Sequence, residues 1–374
     1  MGASKRIGII TMHRVYNAGS ALQAFALYQT IKSLGFDCEV IDYQYPNRYH
    51  QTAQERPSFL SYWWLRLKYF ILYRSHKQHL RFEEFQKQAW ESSTYYASRE
   101  ELFTNPPQYD LCITGSDQVW NPRHMKGDSV FFCAFSPNTP HIAYGSSFSQ
   151  GYIPQKLIEH YRKHLSTYKA LSVREKSGID IITNLTGQQA QLVCDPTLLL
   201  RQSDYRPLIA TAHQYAKQPY LLAYILDYAF NPYPTIQQVI DKIAHEKGLQ
   251  IIYLMANSID NYHIGKSITS AGPNEFLRLF AEASFVVTSS FHGVAFSLLF
   301  EKDFYTIIPS EERKDSRIQT LLSTVGATER AIPQGSKIES FHTANMDYSC
   351  INGKLNEYRE KSLNYLRNAI AQSL

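Results

Sequence analysis

Residues 287–296, VTSSFHGVAF, place a histidine where a short β-branched run gives way to apolar residues at helical spacing. His292 is therefore predicted to lie at a strand-to-helix turn, where α/β proteins often place chemistry. The free N–H groups and positive dipole end of a first helical turn favour an anion, and Ser289, Ser290 and Gly293 are candidate residues for binding it. Because an imidazole beside a bound anion can donate a proton, His292 is a candidate general acid. The alternative is a histidine that only caps the helix or bonds to a neighbouring loop.

A second strand-to-loop signal is YDLCITGSDQVW, residues 109–120. Asp117 follows the strand directly, and Gly115 allows a ligand to approach the backbone closely, with Ser116 between them. The carboxylate of Asp117 could orient a sugar hydroxyl, accept its proton, or pair with His292 across a cleft. The other interpretation is an aspartate that caps the helix after it.

The first strand-to-helix loop carries NAGSALQ, which contributes Asn17, Gly19 and Gln23 as candidate substrate-binding residues. This loop has neither the GxGxxG spacing of a dinucleotide fingerprint nor the GxxxxGK[ST] of a P-loop. NAD and ATP are therefore not indicated.

Cations for an anionic substrate are predicted at Arg174, which follows a strand in SVREK, and at Arg317 in ERKDSR. A solvated loop is the other interpretation of the ERKDSR run. Ser147, in the strand-end segment HIAYGSSFS, is a further candidate for substrate binding.

The composition describes a soluble globular protein of 374 residues, 44% hydrophobic and 19% charged, long enough for two domains. Its net charge of +5 is mild, so the nucleic-acid-binding class is excluded and a small anionic substrate fits better. The five cysteines form no CxxC pair, which predicts free thiols rather than disulfides or a zinc site. With no signal peptide and no long apolar span, we expect a cytoplasmic protein.

Strand and helix patterns alternate along the chain, which is typical of parallel sheets. The predicted strands lie at or within 7–10, 38–42, 111–114, 141–149, 169–178, 220–226, 249–255 and 284–287. Helices are expected near 235–246 and 273–283. Because Pro and polar residues cluster near residue 205, we predict Rossmann-like doubly wound domains at 1–205 and 206–374, which face a cleft.

Two further segments are predicted to be helical. Residues 58–85, within an insertion at about 55–90, combine many aromatics with interleaved Lys and Arg. We expect a helical insertion packed on the first domain, or else an amphipathic surface that lies on a membrane. Residues 354–373 form a plausible amphipathic helix at the C-terminus.

Taken together, an ordered series of motifs resembles the polysaccharide pyruvyl transferase family. The motifs run from near residue 6 to near residue 325: T(x)5NAGSALQAFAL, YDLCITGSDQVWN, IAYGSSF, SVREKSG, CDPTLLL, TSSFHGVAFSLLF and DSRIQTLL. The resemblance implies two Rossmann-like domains arranged as in GT-B glycosyltransferases. It also implies transfer of the enolpyruvyl carbons of phosphoenolpyruvate to a sugar, as a ketal, in an exopolysaccharide, capsule or cell-wall glycan precursor.

The resemblance further implies roles for single residues. His292 matches the family's histidine and would be the acid, with Asp117 as base or orienting group. The helix N-terminus, Arg174 and Arg317 would hold the donor's carboxylate and phosphate, and no metal or other cofactor is needed. Several relatives carry an arginine where this chain has Ser290.

Other functions remain open. A GT-B glycosyltransferase that uses a nucleotide sugar, or a non-catalytic glycan-binding relative, fits the same fold. Galactose, glucose and N-acetylmannosamine are all conceivable acceptors, free or lipid-linked. A lipid-linked acceptor would suit an enzyme held at the inner face of the cytoplasmic membrane.

Overall fold

The computed structural model describes residues 5–44, 73–227, 230–255, 265–310, 316–337 and 345–374. Its strands form two large parallel sheets, one from each half of the chain, and a separate pair of short strands. Most strand residues are fully buried, as expected for parallel sheets that are covered by helices on both faces.

The first sheet has the strand order β2-β1-β3-β4. These strands are β1 (Arg6–Ile10), β2 (Asp37–Val40), β3 (Leu111–Thr114) and β4 (His141–Ala143). The short strands β5 (Ser172–Val173) and β6 (Gln191–Leu192) pair with each other beside it. All of these pairings are parallel, so loops that carry candidate site residues leave the same edge of the sheet.

The helices of the first half connect and cover these strands. They are α1 (Ala18–Ser33), α2 (Tyr73–Ala89), α3 (Arg99–Thr104), α4 (Ile158–Leu165) and α5 (Lys176–Thr186). Helix α1 ends just before Gly35, which has φ +88°, a conformation that glycine adopts at little cost.

The second sheet has the order β12-β11-β10-β7-β8-β9. Its strands are β7 (Tyr220–Ile225), β8 (Gln250–Met255), β9 (Lys266–Ile268), β10 (Phe285–Thr288), β11 (Phe304–Ile308) and β12 (Ala331–Pro333). The helices are α6 (Gln202–Thr211), α7 (Thr235–Lys247), α8 (Pro273–Glu282), α9 (Phe291–Leu299), α10 (Ser316–Val325) and α11 (Tyr348–Ser373). The predicted elements at 220–226, 235–246, 249–255, 273–283 and 284–287 all appear within a residue or two of their expected bounds.

The C-terminal helix α11 is longer than the predicted 354–373 and packs against the first half of the chain. Ser362 Oγ accepts a 2.9 Å hydrogen bond from Cys194 N, and Tyr365 Oη donates to Ala143 O at 3.0 Å. The helix therefore ties β4 of the first sheet to the second half.

The insertion lies partly outside the described residues, since 58–72 are not among them. The described portion is the single helix α2, which contacts α8 of the second half as well as the first sheet's core. Arg81 lies 3.2 Å from Glu275 and donates to Ser270 O at 2.7 Å. The helix thus bridges the two halves. None of the helices in the described ranges is long and apolar enough to cross a membrane.

Candidate active site

His292 lies in the first turn of α9, immediately beyond β10, as predicted. Ser290 is the N-cap residue, with φ −104° and ψ 136°, so His292 does not itself cap the helix. Ser289 Oγ donates to Leu226 O and accepts from Leu226 N, both at 2.8 Å, and so ties the turn to the end of β7. A Cβ at Gly293 would lie 2.2 Å from a side-chain oxygen of the preceding strand. Only glycine therefore lets the helix leave the sheet this closely.

The His292 ring is buried against the first half of the chain. A Cβ at Gly19 in α1 would lie 2.1 Å from His292 Nδ1, so the ring packs directly on that glycine. His292 Nε2 lies 3.7 Å from Asp195 Oδ2, which is too long for a hydrogen bond. Within the part of the chain that the structure describes, Nε2 is buried without a hydrogen-bond partner. A buried polar atom without a hydrogen-bond partner is uncommon in a folded protein, and a ligand that supplies the partner would explain it.

Arg174 lies at the centre of the cluster and is 1% exposed. Its Nη2 lies 3.2 Å from Asp117 Oδ1, and its Nη1 donates to Asp195 Oδ2. Its guanidinium also lies over the Phe291 ring, with Cζ 4.7 Å from the centroid. Arg317 approaches that ring too, at 5.7 Å. The buried guanidinium groups of Arg174 and Arg317 therefore both lie beside Phe291, the residue that precedes His292.

Asp117 leaves β3 with φ +73°, an unusual value for a residue other than glycine. Its Oδ2 accepts from Ser20 Oγ, and its Oδ1 accepts from Gln118 N at 2.8 Å. Burial acts to raise the pKa of this carboxyl, but Arg174 and His292 outweigh that effect and hold the pKa below its usual range. Asp117 is therefore ionised near neutral pH. Turns follow it in the described chain, not a helix, so the helix-cap interpretation is wrong.

Asp195 was missed by the sequence analysis, although its motif CDPTLLL was part of the family resemblance. Its Oδ1 accepts from Thr197 N and Oγ1, at 3.0 and 2.8 Å, while Oδ2 accepts from Ser116 Oγ at 3.0 Å. Burial acts to raise the pKa of Asp195, but Arg174 and His292 hold it well below its usual range. An aspartate directly before a proline is typical of a helix cap. That local pattern gave no indication that Asp195 also contacts Arg174.

Glu175 is the other residue that sequence reasoning missed. Its Oε1 accepts from Ser147 Oγ at 3.1 Å, from Phe148 N at 2.7 Å and from Ser149 N at 3.2 Å. Burial raises the pKa of Glu175 above its usual range, although Arg174 acts in the opposite direction. The predicted binding residue Ser147 therefore uses its hydroxyl to fix the loop after β4.

The remaining predicted residues shape the loops around the cluster. Asn17 caps α1 by accepting from Ser20 N at 3.2 Å. Gln23 Nε2 donates to Thr11 Oγ1 at 3.0 Å and to the backbone oxygen of Ser20 at 2.9 Å. A Cβ at Gly115 would lie 2.8 Å from Thr11 Cβ, so this glycine allows close packing of loops. Their roles in substrate binding stay predictions.

The structure thus brings the predicted acid, base and cations into one cluster, together with the missed carboxylate. We call this the His292 cluster; its members are His292, Asp117, Arg174, Asp195 and Arg317. No group of three or more potential metal-ligating His, Cys, Asp or Glu residues occurs within the described ranges.

This architecture defines an α/β protein with two Rossmann-like sheets and a polar cluster where its halves meet. The UDP-N-acetylglucosamine 2-epimerase of Neisseria meningitidis has a similar fold, with a TM-score of 0.50, 10% identity and 99% of each chain covered. The corresponding epimerase of Methanocaldococcus jannaschii gives a TM-score of 0.48 at 12% identity, covering 96% of this chain and 93% of the other. The predicted α/β, GT-B-like fold class is confirmed.

A model of the polysaccharide pyruvyl transferase family matches residues 17–311. The chain belongs to this family of transferases, and the resemblance drawn from its motifs is confirmed. No curated protein matches the sequence significantly.

Proposed function

We propose that the protein transfers the enolpyruvyl carbons of phosphoenolpyruvate to two hydroxyls of a sugar and releases phosphate. The observation that carries the proposal is the buried Nε2 of His292 in the first turn of α9, which has no hydrogen-bond partner among the described residues. A proton donor and backbone N–H groups for an anion therefore occur together, as enolpyruvyl chemistry requires.

The proposed reaction begins with proton transfer from His292 to the methylene carbon of phosphoenolpyruvate. The carbon that bears the phosphate then becomes oxocarbenium-like, and a sugar hydroxyl attacks it while Asp117 takes the hydroxyl proton. A second hydroxyl of the same sugar displaces phosphate and closes the ketal; its proton returns to His292, and the proton held by Asp117 leaves with the phosphate. The lowered pKa of Asp117 keeps its carboxyl ionised, so the group starts the reaction without a proton to donate.

The donor's carboxylate and phosphate need positive groups in this scheme. Arg174 already pairs with Asp117 and Asp195, so much of its charge is compensated within the protein. We therefore assign direct anion binding chiefly to the N–H groups of the first turn of α9, with Arg317 beside the Phe291 ring as a further cation of the site. Arg174 would orient the carboxylates of Asp117 and Asp195 and would contribute its positive charge to donor binding from the far side of these carboxylates. With anion binding assigned in this way, the reaction does not need an arginine at the position of Ser290, where several relatives have one.

Ligand binding and product formation test the proposal. Phosphoenolpyruvate at about 100 times its Kd should add roughly 2.7 kcal/mol to the free energy of unfolding, without metal or nucleotide. Incubation with phosphoenolpyruvate and a panel of glycosides should yield a pyruvylated sugar, detected by mass. A thermal shift with UDP or UDP-sugars and none with phosphoenolpyruvate would instead support glycosyl transfer. Binding of glycans alone would indicate a non-catalytic relative.

We also propose that the acceptor belongs to an envelope glycan precursor and that the reaction takes place in the cytoplasm. The aromatic and basic segment 58–85 would hold the enzyme at the membrane, near a lipid-linked acceptor. One of its cations, Arg81, already pairs with Glu275, so the remaining Lys and Arg residues would contact anionic lipid. Flotation with anionic liposomes at low salt should carry the protein upward, and added salt should release it. A protein that stays wholly with the soluble fraction at low salt contradicts this docking.

A further inference from the structure

A second polar cavity, which no predicted site residue lines, lies at the same edge of the first sheet. Its volume is about 600 Å³, within the range of roughly 300–1,000 Å³ that small-molecule sites occupy. The loop after β1 supplies His13 and Arg14, and the loop after β2 supplies Asp42. The helix α2 and the residue after it complete the wall with Glu83, Lys87 and Trp90. We call this the α2 cavity.

The floor of the α2 cavity is a fixed hydrogen-bond network. His13 Nδ1 lies 3.0 Å from Thr11 O, and Nε2 lies 3.0 Å from Asp42 Oδ1. Arg14 binds the same carboxylate through two nitrogens, with Nη2 at 2.6 Å from Oδ2. Gln86 Nε2 donates to His13 O at 2.7 Å and joins α2 to this network. Because the polar groups are held before any ligand arrives, binding would cost little reorganisation.

Charges of both signs line the α2 cavity. Arg14 and Lys87 oppose Asp42 and Glu83, and both Arg14 and His13 already contact the Asp42 carboxylate. A wall on which both signs stand side by side does not select for a phosphate or a carboxylate. It offers N–H donors and carboxylate acceptors side by side, and Trp90 adds an aromatic surface whose ring lies edge-on to His13. Hydroxyl groups both donate and accept, so this chemistry suits a neutral sugar.

The position of the α2 cavity links it to the His292 cluster. The loop that carries His13 continues into α1, whose Gly19 packs against the His292 ring. Asp42 follows β2 and Asp117 follows β3, with β1 between these strands. At about 4.8 Å per strand, the two loops are roughly 10 Å apart. A glycan of more than one sugar could therefore reach from one region to the other.

We propose that the α2 cavity binds a neutral sugar unit of the acceptor glycan. This assignment rests on the proposed pyruvyl transfer for the identity of the glycan as an acceptor. The binding itself is a property of the free protein and does not require phosphoenolpyruvate. It can therefore be measured separately from the reaction.

The test uses two double variants of α2 in the full chain. E83A/K87A removes an acid and a base from the cavity rim and leaves the net charge unchanged. E84A/Q88A removes exposed side chains of the same helix that do not line the cavity, with the loss of one negative charge, and serves as the control for truncation on this helix. All four side chains are exposed, so both variants should fold, which circular dichroism checks.

Saturation-transfer NMR measures binding of the methyl glycosides of galactose, glucose and N-acetylmannosamine, with methyl glucuronide as a charged comparator. We expect a neutral glycoside to bind the original protein and E84A/Q88A alike, and E83A/K87A about tenfold more weakly, a loss of about 1.4 kcal/mol. Three results would overturn the inference: no neutral glycoside binds, the glucuronide binds more tightly, or E83A/K87A binds normally. A missing thermal shift with phosphoenolpyruvate would instead count against the proposed function and leave the sugar site standing.

Discussion

The histidines of two polar clusters at the edge of the first sheet differ in what their ring nitrogens contact. In each cluster a histidine and an arginine lie beside the same aspartate: His292 and Arg174 beside Asp195, and His13 and Arg14 beside Asp42. Both ring nitrogens of His13 have partners at 3.0 Å. In contrast, His292 Nε2 lies 3.7 Å from its aspartate and has no hydrogen-bond partner in the described chain.

The difference follows from how each cluster is assembled. His13, Arg14 and Asp42 come from neighbouring loops of one sheet, where short connections allow every polar group to find a partner. The His292 cluster is assembled across the meeting of the two halves: His292 comes from the second sheet, and Arg174 and Asp195 come from the first half. A buried imidazole nitrogen left without a partner costs stability. Its retention is expected where a substrate supplies the missing contact, so we assign proton transfer to His292 and a structural role to His13.

The largest expected effect is the loss of stability in Asp195→Asn. Asp195 is fully buried and shares Arg174 with Asp117, so removal of its charge leaves the arginine incompletely paired. Breaking a buried ion pair costs about 3–5 kcal/mol, which urea unfolding measures. Asp42→Asn is the control from the other cluster, where Arg14 is about one-third exposed and water compensates its charge. Equal losses of unfolding free energy in Asp195→Asn and Asp42→Asn would mean that the two aspartate–arginine pairs contribute equally to stability.

The next effect is on the rate of the proposed reaction. His292→Gln should fold and bind phosphoenolpyruvate, yet turn over at least about 100-fold more slowly, because a positioned acid contributes about 10²- to 10⁴-fold. His13→Gln should keep its rate at saturating acceptor and lose about 1–3 kcal/mol of stability, since buried partners are left unsatisfied. Single-turnover rates and unfolding curves measure both. If His292→Gln loses only melting temperature and His13→Gln loses the rate, the assignment of the two histidines is reversed.

These variants test residues that the sequence predicted unequally well. His292 and Asp117 could be predicted because each follows an apolar strand directly, and the carboxyl ends of parallel strands meet at one edge. The same reasoning placed Arg174 at that edge, but not its two ionic contacts. One contact depends on the loop after β6 that carries Asp195, which folds back to the arginine over 21 residues of sequence separation, and the other joins Arg174 to Asp117 over 57 residues.

The α2 cavity could not be predicted for a different reason. His13 and Arg14 occupy unspecified positions of the T(x)5NAGSALQAFAL motif, and Asp42 lies outside the segments that carry the family resemblance. Among the described residues, the packing of α2 against both halves, through Arg81 and Glu275, places the wall of this cavity. Helix amphipathicity indicates which face is buried, but not which neighbouring elements cover it.

A smaller effect is expected from Gly19→Ala, which tests the contact between the two halves. The new Cβ would lie 2.1 Å from His292 Nδ1, so the ring must move. Because a displacement of about 1 Å can cost up to 10²-fold in rate, we expect a loss of about tenfold in kcat. Gly353→Ala is the matched control: this helical glycine has open space around it, so it should gain roughly 0.5–1 kcal/mol without a change in rate. Normal turnover in Gly19→Ala would show that the ring position is not critical.

The smallest expected effect concerns pH and returns to the α2 cavity. Burial acts to raise the pKa of Asp42, but hydrogen bonds from His13 and Arg14 hold it well below its usual range. Since the unfolded pKa is about 3.9, the ionised carboxylate stabilises the folded state above about pH 4, and this contribution is lost as the pH falls further. Asp42→Asn should therefore be less stable than the original protein by on the order of 1 kcal/mol at pH 5–7, and the difference should shrink below about pH 4. Urea unfolding across this range measures the difference, and a gap that widens with acidification would contradict the ionic contact that holds the cavity floor together.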